Sequence, residues 1–219
     1  MPKTLETVLE IDLNALEHNY HFLRNRIKPE TKFLGVVKAF AYGSDAVAIA
    51  KKLEQLGVEY LAVAYVREGV ALRDSGIQTP IIVLHPQVAN FEELINRCLE
   101  PSIYSPRILR AFLSTCEKLD EKAYPVHIKF NTGLNRLGFW EHDVDFIIDQ
   151  TQDRSEIEIA SVFSHLAASE DPKEEPFTRQ QIRTFEKIAK EVDEKLTYTP
   201  FKHVLNTSGI INYPDAQFN

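Results

Sequence analysis

Four short segments place reactive or anion-binding side chains directly after apolar runs. Lys38 closes Phe33-Leu34-Gly35-Val36-Val37 and opens Lys38-Ala39-Phe40-Ala41-Tyr42-Gly43. A lysine buried at the carboxyl end of a strand loses hydration, its pKa falls, and the neutral amine suits Schiff-base chemistry with a carbonyl. The second segment, Lys129-Phe130-Asn131-Thr132-Gly133-Leu134-Asn135-Arg136-Leu137-Gly138, holds two cations and two glycines in a turn-rich loop able to meet an anion. The third, Ser164-His165-Leu166-Ala167, offers an imidazole for acid–base work or for stacking on a planar ring. In the fourth, Asn206-Thr207-Ser208-Gly209, hydroxyls and backbone N–H groups at a helix start suit a phosphate. Taken singly, each segment reads equally well as a strand-terminating charge, a structural histidine or an ordinary capped helix.

The elements that must position these residues alternate along the chain. Apolar runs that begin at Phe33, Tyr60, Pro80, Pro101, Val126, Ile157 and Lys202 read as strands. Between them lie helical patterns over 46–56, 66–75, 91–98, 106–118, 144–150 and 177–192. Strands alternating with such helices predict βαβ units and a parallel sheet, either an open doubly wound sheet or a (β/α)8 barrel one strand short. Before them, Val8 to Asp12 alternates like a short strand, and Asn14 is placed to cap a helix carrying Leu16, Tyr20 and Leu23. The polar stretch from Ser169 to Pro176 reads as a mobile loop.

The 219 residues suffice for one sizeable core, and 44% hydrophobic with 26% charged residues is ordinary globular composition. A net charge of -7 without any basic cluster argues against a sequence-independent grip on nucleic acid. Cys98 and Cys116 share no metal or redox spacing and read as reduced thiols in predicted helices. His18, His21, His85, His127, His142 and His203 form no metal-ligand set with their neighbours. The start, Met1-Pro2-Lys3-Thr4, has no apolar signal region, and no apolar stretch is long enough to span a bilayer. A cytoplasmic protein is expected. P-loop, dinucleotide-binding and nucleophile-elbow motifs are not found.

Together and in this order, the four segments resemble the N-terminal barrel domain of alanine racemases, which are fold-type III pyridoxal-phosphate enzymes. The resemblance begins at Leu9-Glu10-Ile11-Asp12-Leu13-Asn14-Ala15-Leu16 and runs to Asn219, so residues 1–219 are expected to form one barrel domain. Val37-Lys38-Ala39-x-Ala41-Tyr42-Gly43 and Lys129-x-x-Thr132-Gly133-x-x-Arg136-x-Gly138 are its most specific parts. The resemblance implies a TIM barrel truncated before its eighth strand, with the C-terminal β domain absent. It implies that Lys38 binds pyridoxal 5'-phosphate covalently and acts as one of two catalytic bases. It further implies that Tyr42 contacts the phosphate, Arg136 the ring oxygen, and His165 the pyridine face. Asn206 and Thr207 match the family's Asn-Ser pair, Thr207 taking the phosphate-binding hydroxyl, and Lys129 matches a lysine carbamylated in many members.

Phe40, Ser44-Asp45 and Asn131 stand where the family commonly has Asn, His-Gly and Asp. The Phe40 variant is similar to the racemase half of proteins fused to a cell-wall ligase. The implied activity is interconversion of L- and D-alanine for peptidoglycan precursors by a homodimer, with this stretch alone inactive. The second base, a tyrosine, and an arginine facing the pyridine nitrogen are family features beyond this stretch. Alternatives are another fold-type III enzyme, such as a decarboxylase or a broader racemase, and a non-catalytic pyridoxal-phosphate carrier.

Overall fold

The structure, a computed structural model, describes residues 7–218. The apolar runs become β1 (Leu34–Val36), β2 (Tyr60–Val63), β3 (Ile81–Val83), β4 (Glu100–Ile103), β5 (Tyr124–Lys129), β6 (Ile157–Phe163) and β7 (Phe201–His203). All neighbours are parallel and the spatial order is the sequence order, β1 to β7, with no reversal. A doubly wound sheet would reverse its strand order at a switch point, whereas unbroken order belongs to a barrel. The fold is therefore seven parallel strands of an incomplete TIM barrel. Among the described residues, β1 and β7 each pair on one side only.

Alternation along the strands separates two layers. Leu61, Val63, Ile81, Val83, Ile103, Val126 and Ile128 point outward into the core beneath the helices. Ala62, Ile82, Ser102 and His127 are equally buried but face the barrel axis. The β5–β6 register passes from Val126↔Ile159 to His127↔Ser161, skipping Ala160. That bulge changes the phase of β6, so that Ile159 faces out while Ser161 faces in.

The helices follow from local chemistry. In Pro106–Lys118, Ser105 accepts from the Ile108 N–H, and Pro106 at the first helical position has no N–H to satisfy. Ile108, Leu109, Phe112, Leu113 and Cys116 recur on its buried face. In Glu175–Lys195 the buried stripe is Thr178, Gln181, Ile182, Phe185, Ile188, Ala189 and Val192. The residues after the last helix, Thr207–Asn212, return to the start of the barrel. There Lys28 N–H donates to Gln217 Oε1 at 2.9 Å and Thr31 Oγ1 to the Phe218 carbonyl at 2.9 Å.

Several local expectations change. Val8 to Asp12 forms no strand, and Val8 and Leu9 are exposed. The first helix, Leu13–Arg24, is capped by Asp12 rather than Asn14; its carboxylate accepts from the N–H groups of Asn14 and Ala15. Asp suits a cap better than Asn14 does here because Asp12 still has extended backbone. Cys98 lies beyond the helix Phe91–Asn96 and is exposed, whereas Cys116 is buried; both are free thiols. The stretch after Ser169 contains a one-turn helix, Pro172–Glu174, capped by Asp171, and Ser169 is buried. Among the described residues no group of His, Cys, Asp and Glu is arranged to hold a metal, and no helix is long and apolar enough to cross a membrane.

Candidate active site

The four segments all fall at the carboxyl ends of strands: Lys38 after β1, Lys129 at the end of β5, His165 after β6 and Asn206 after β7. This is the rim where α/β barrels gather their chemistry. Lys38 itself is half-buried rather than enclosed. The reason is the backbone that follows it: Ala39, Phe40, Ala41 and Tyr42 all lie in the left-handed region, with φ between 52° and 59°. This single left-handed turn is closed by Ala41 N–H to the Val37 carbonyl at 3.0 Å and Ser44 N–H to the Phe40 carbonyl at 2.8 Å. It lifts the lysine onto the rim and sets the Tyr42 ring 6.0 Å from Lys38 Nζ. Phe40 and Tyr42 are 77% and 69% exposed, so the rim presents open aromatic surface beside the amine.

The Lys129–Gly138 loop folds back on its own strand. Asn131 N–H bonds the Phe139 carbonyl at 2.7 Å, and Phe139 N–H bonds the Lys129 carbonyl at 2.9 Å. Asn131 Oδ1 accepts from the N–H groups of Gly133 and Asn135, shaping the turn that carries Arg136. Gly138 has φ 135°, and a Cβ there would sit 2.6 Å from the backbone of Phe130 and Asn131. Thr132 and Ser164 hydroxyls meet at 2.8 Å, joining this loop to the end of β6. Across the rim, Asn206 Oδ1 caps Thr207–Asn212 through the Gly209 N–H and receives the Ser169 hydroxyl at 2.6 Å. Thr207 is left exposed at the head of that helix.

The electrostatics are one-sided. Lys129 is buried, at 5% exposure. Burial, then the positive charges of Arg136 and Lys38, lower its pKa to about 8. His165 is exposed at the rim, yet partial removal from water, then Arg136, Lys129 and Lys38, hold its pKa down to about 4. Every charge acting on these two groups is a cation. A site with this balance lacks a negative partner and fits an anionic ligand. The lysine that desolvation drives down is Lys129, and the structure thereby joins Lys38, Lys129, Arg136 and His165 in one electrostatic unit.

Beneath the rim, inside the barrel, Glu100 Oε2, His127, the Ser161 hydroxyl and His203 form a chain with contacts of 2.7, 2.7 and 3.4 Å. Burial, then His127 and His165, push the His203 pKa to about 3. Its ring stacks on Phe163 at 4.7 Å between centroids. His127, Ser161 and His203, with Tyr60, Phe201 and Lys32, line a cavity of about 40 Å³ inside the barrel. His127 and His203 drew no functional reading from sequence, because a lone histidine in an apolar strand has no local partner to announce it.

Two further side chains were also invisible. Gln181, fully buried, accepts from the Ala167 N–H at 2.9 Å and donates to the His165 carbonyl at 3.2 Å. It fixes the backbone on both sides of Leu166. Glu68 bonds the left-handed turn at Ala39. Neither residue lies in a strand-end motif, and only the packing reveals what they hold.

An incomplete parallel barrel with a lysine on its first strand end and cations at the carboxyl-end rim defines a class: an α/β barrel whose rim fits an anionic ligand. The family model described as "Alanine racemase, N-terminal domain" matches residues 11–219, and the chain belongs to that family. The alanine racemase of Nostoc sp. is 35% identical over 96% of this chain and 55% of its own length. Alanine racemase 1 of Oceanobacillus iheyensis is 31% identical over 96% of this chain and 56% of its own. Among solved structures, an alanine racemase of Clostridium difficile 630 superposes with TM-score 0.92 at 33% identity, covering 99% of this chain and 56% of that one. The chain thus spans about half the length of the relatives it matches.

Proposed function

We propose that this chain is the cofactor-binding barrel of a pyridoxal-phosphate-dependent isomerase that interconverts L- and D-alanine. The carrying observation is the set of cations Lys38, Lys129 and Arg136 gathered at one rim, the charges acting on Lys129 and His165 being cations alone. That donor set fits the cofactor: an amine for its aldehyde, cations and exposed hydroxyls for its phosphate and ring oxygen. When bound, the cofactor supplies the electron sink that makes the alanine α-proton acidic.

Lys38 would hold the cofactor through its amine, and its Nζ would exchange a proton with the substrate α-carbon from one face. Tyr42 and Thr207 would hold the phosphate, Thr207 through its hydroxyl on the helix that Asn206 caps. Arg136 would hold the cofactor's ring oxygen as a donor, and His165, kept neutral, would support its ring. Lys129 near pH 8 is partly neutral. Its free amine fits reaction with carbon dioxide, and the resulting carbamate would provide an anion for Arg136. Racemisation also needs a second base on the opposite face, a role that none of the rim residues named here takes. The whole protein acts as a cytoplasmic homodimer supplying D-alanine for peptidoglycan, and residues 1–219 form its N-terminal domain.

The test is spectroscopic and enzymatic. Protein incubated with pyridoxal 5'-phosphate develops the visible absorbance of a lysine-bound cofactor, and Lys38→Ala does not. D-Alanine formation from L-alanine follows in the full protein. Retained absorbance in Lys38→Ala, or turnover of other amino acids ahead of alanine, would refute the assignment.

A further inference from the structure

The left-handed turn that carries Lys38 is expensive. Side chains crowd the backbone in that region, yet Ala39, Phe40, Ala41 and Tyr42 occupy it in succession. Such strain persists only where surrounding structure over-determines it. The two backbone bonds inside the turn do not attach it to the barrel. Phe40 and Tyr42 point to solvent and contribute little packing. Ala41 packs into the core, and Glu68, 29 residues from Ala39, supplies the turn's side-chain hydrogen bond.

The Glu68 carboxylate bridges two strand ends. Its Oε1 accepts from the Ala39 N–H at 2.7 Å. Its Oε2 accepts from the N–H groups of Ala64 at 2.7 Å and Tyr65 at 3.0 Å. Ala64 and Tyr65 immediately follow β2, and Glu68 stands in the first turn of the helix Val66–Asp74. One half-buried carboxylate therefore satisfies three backbone donors and sets the Lys38 turn in register with its neighbouring strand. Charge-assisted bonds of this kind are about twice as strong as neutral ones. No neutral side chain of the same shape can replace it, because an amide turned to accept at one end presents N–H groups at the other.

We propose that Glu68 is a positioning residue for the cofactor lysine, holding the strained turn so that Lys38 and Tyr42 face the cofactor together. The inference rests on the reading of Lys38 given above. It predicts that Glu68→Gln weakens pyridoxal 5'-phosphate binding about tenfold, the loss of one charge-assisted hydrogen bond. Glu54 provides a matched control. It accepts from the N–H groups of Gln78 and Thr79 and from the Thr79 hydroxyl, all at 2.8 to 2.9 Å, at the opposite end of the barrel.

The experiment titrates full-length wild-type protein, Glu68→Gln, Glu68→Asp, Glu54→Gln and Lys38→Ala with pyridoxal 5'-phosphate, following visible absorbance, with thermal melts of each apo form. The expected result is weakened binding in both Glu68 variants and wild-type affinity in Glu54→Gln despite a comparable loss of melting temperature. Glu68→Asp keeps the charge but falls short of spanning both strand ends, and it carries the test if Glu68→Gln does not fold. Wild-type affinity in the Glu68 variants, or equal weakening in Glu54→Gln, would overturn the proposal. Failure of the Lys38 reading shows separately, as retained absorbance in Lys38→Ala.

Discussion

Replacing Lys129 by methionine should stabilise the apoprotein. Lys129 is 5% exposed, and its ammonium lies 5.7 Å from the Phe163 ring with only cations acting on it. The drop of its pKa from 10.5 to about 8 means that folding with the ammonium charged costs about 3 kcal/mol, at about 1.36 kcal/mol for each pKa unit. The sign follows from linkage: the folded pKa is the lower one, so the unfolded chain holds more protons between about pH 8 and 10.5. Wild-type stability should therefore rise as pH climbs through that window. Methionine, of similar length and without charge, removes the penalty. Lys129→Met should be about 2–3 kcal/mol more stable than wild type at pH 7, and the gap should shrink toward zero by pH 10.5. Urea unfolding at pH 7, 9 and 10.5, in carbon-dioxide-free buffer, measures it. A gap that is absent at pH 7, or that does not change with pH, refutes the claim that Lys129 is an uncompensated buried cation.

His203 gives a profile of the same sign in a lower pH window. His203, held at about 3, must gain a proton on unfolding at any pH between 3 and 6.5, so stability should fall steadily as pH drops below 6.5. His203→Asn should flatten that slope in urea melts; an unchanged slope would show that the histidine does not drive it. Gly138→Ala should cost more than about 2 kcal/mol, because its Cβ meets backbone at 2.6 Å in a φ 135° conformation. It should also weaken cofactor binding by displacing the Arg136 loop, and a wild-type melting temperature would contradict this.

The parallel sheet was legible because strands buried on both faces announce themselves as unbroken apolar runs, and helices Pro106–Lys118 and Ile157–Phe163's neighbour Glu175–Lys195 carry clean 3.6-residue stripes. Reversal or continuation of strand order is not written in any one segment, so the residue pattern left barrel and open sheet open, and only the family resemblance pointed to the barrel that the pairing shows. The strand-end residues were legible as types, and the family motif tied them together. Their environments were not. Burial was expected for Lys38, but the left-handed turn exposes it and Lys129 takes the buried place. Local rules assign positive φ to Gly43 and not to Ala39, Phe40, Ala41 or Tyr42, since what holds them, the Glu68 bond to Ala39 and the packing of Ala41, comes from outside the segment. Val8 to Asp12 alternates like a strand, yet alternation alone does not supply a pairing partner.

The unbroken strand order also governs how the chain reaches its fold. Each strand pairs with the one made just before it, so every ladder closes a loop of a few tens of residues. The sheet can grow one βα unit at a time, in the direction of synthesis, without waiting for distant segments. The contacts of Lys28 with Gln217 and Thr31 with Phe218, spanning 189 and 187 residues, are the exception. They require the first and last strands to be in place already. Kinetically they belong to the final step, and weakening them should speed unfolding while leaving the rate of folding nearly unchanged.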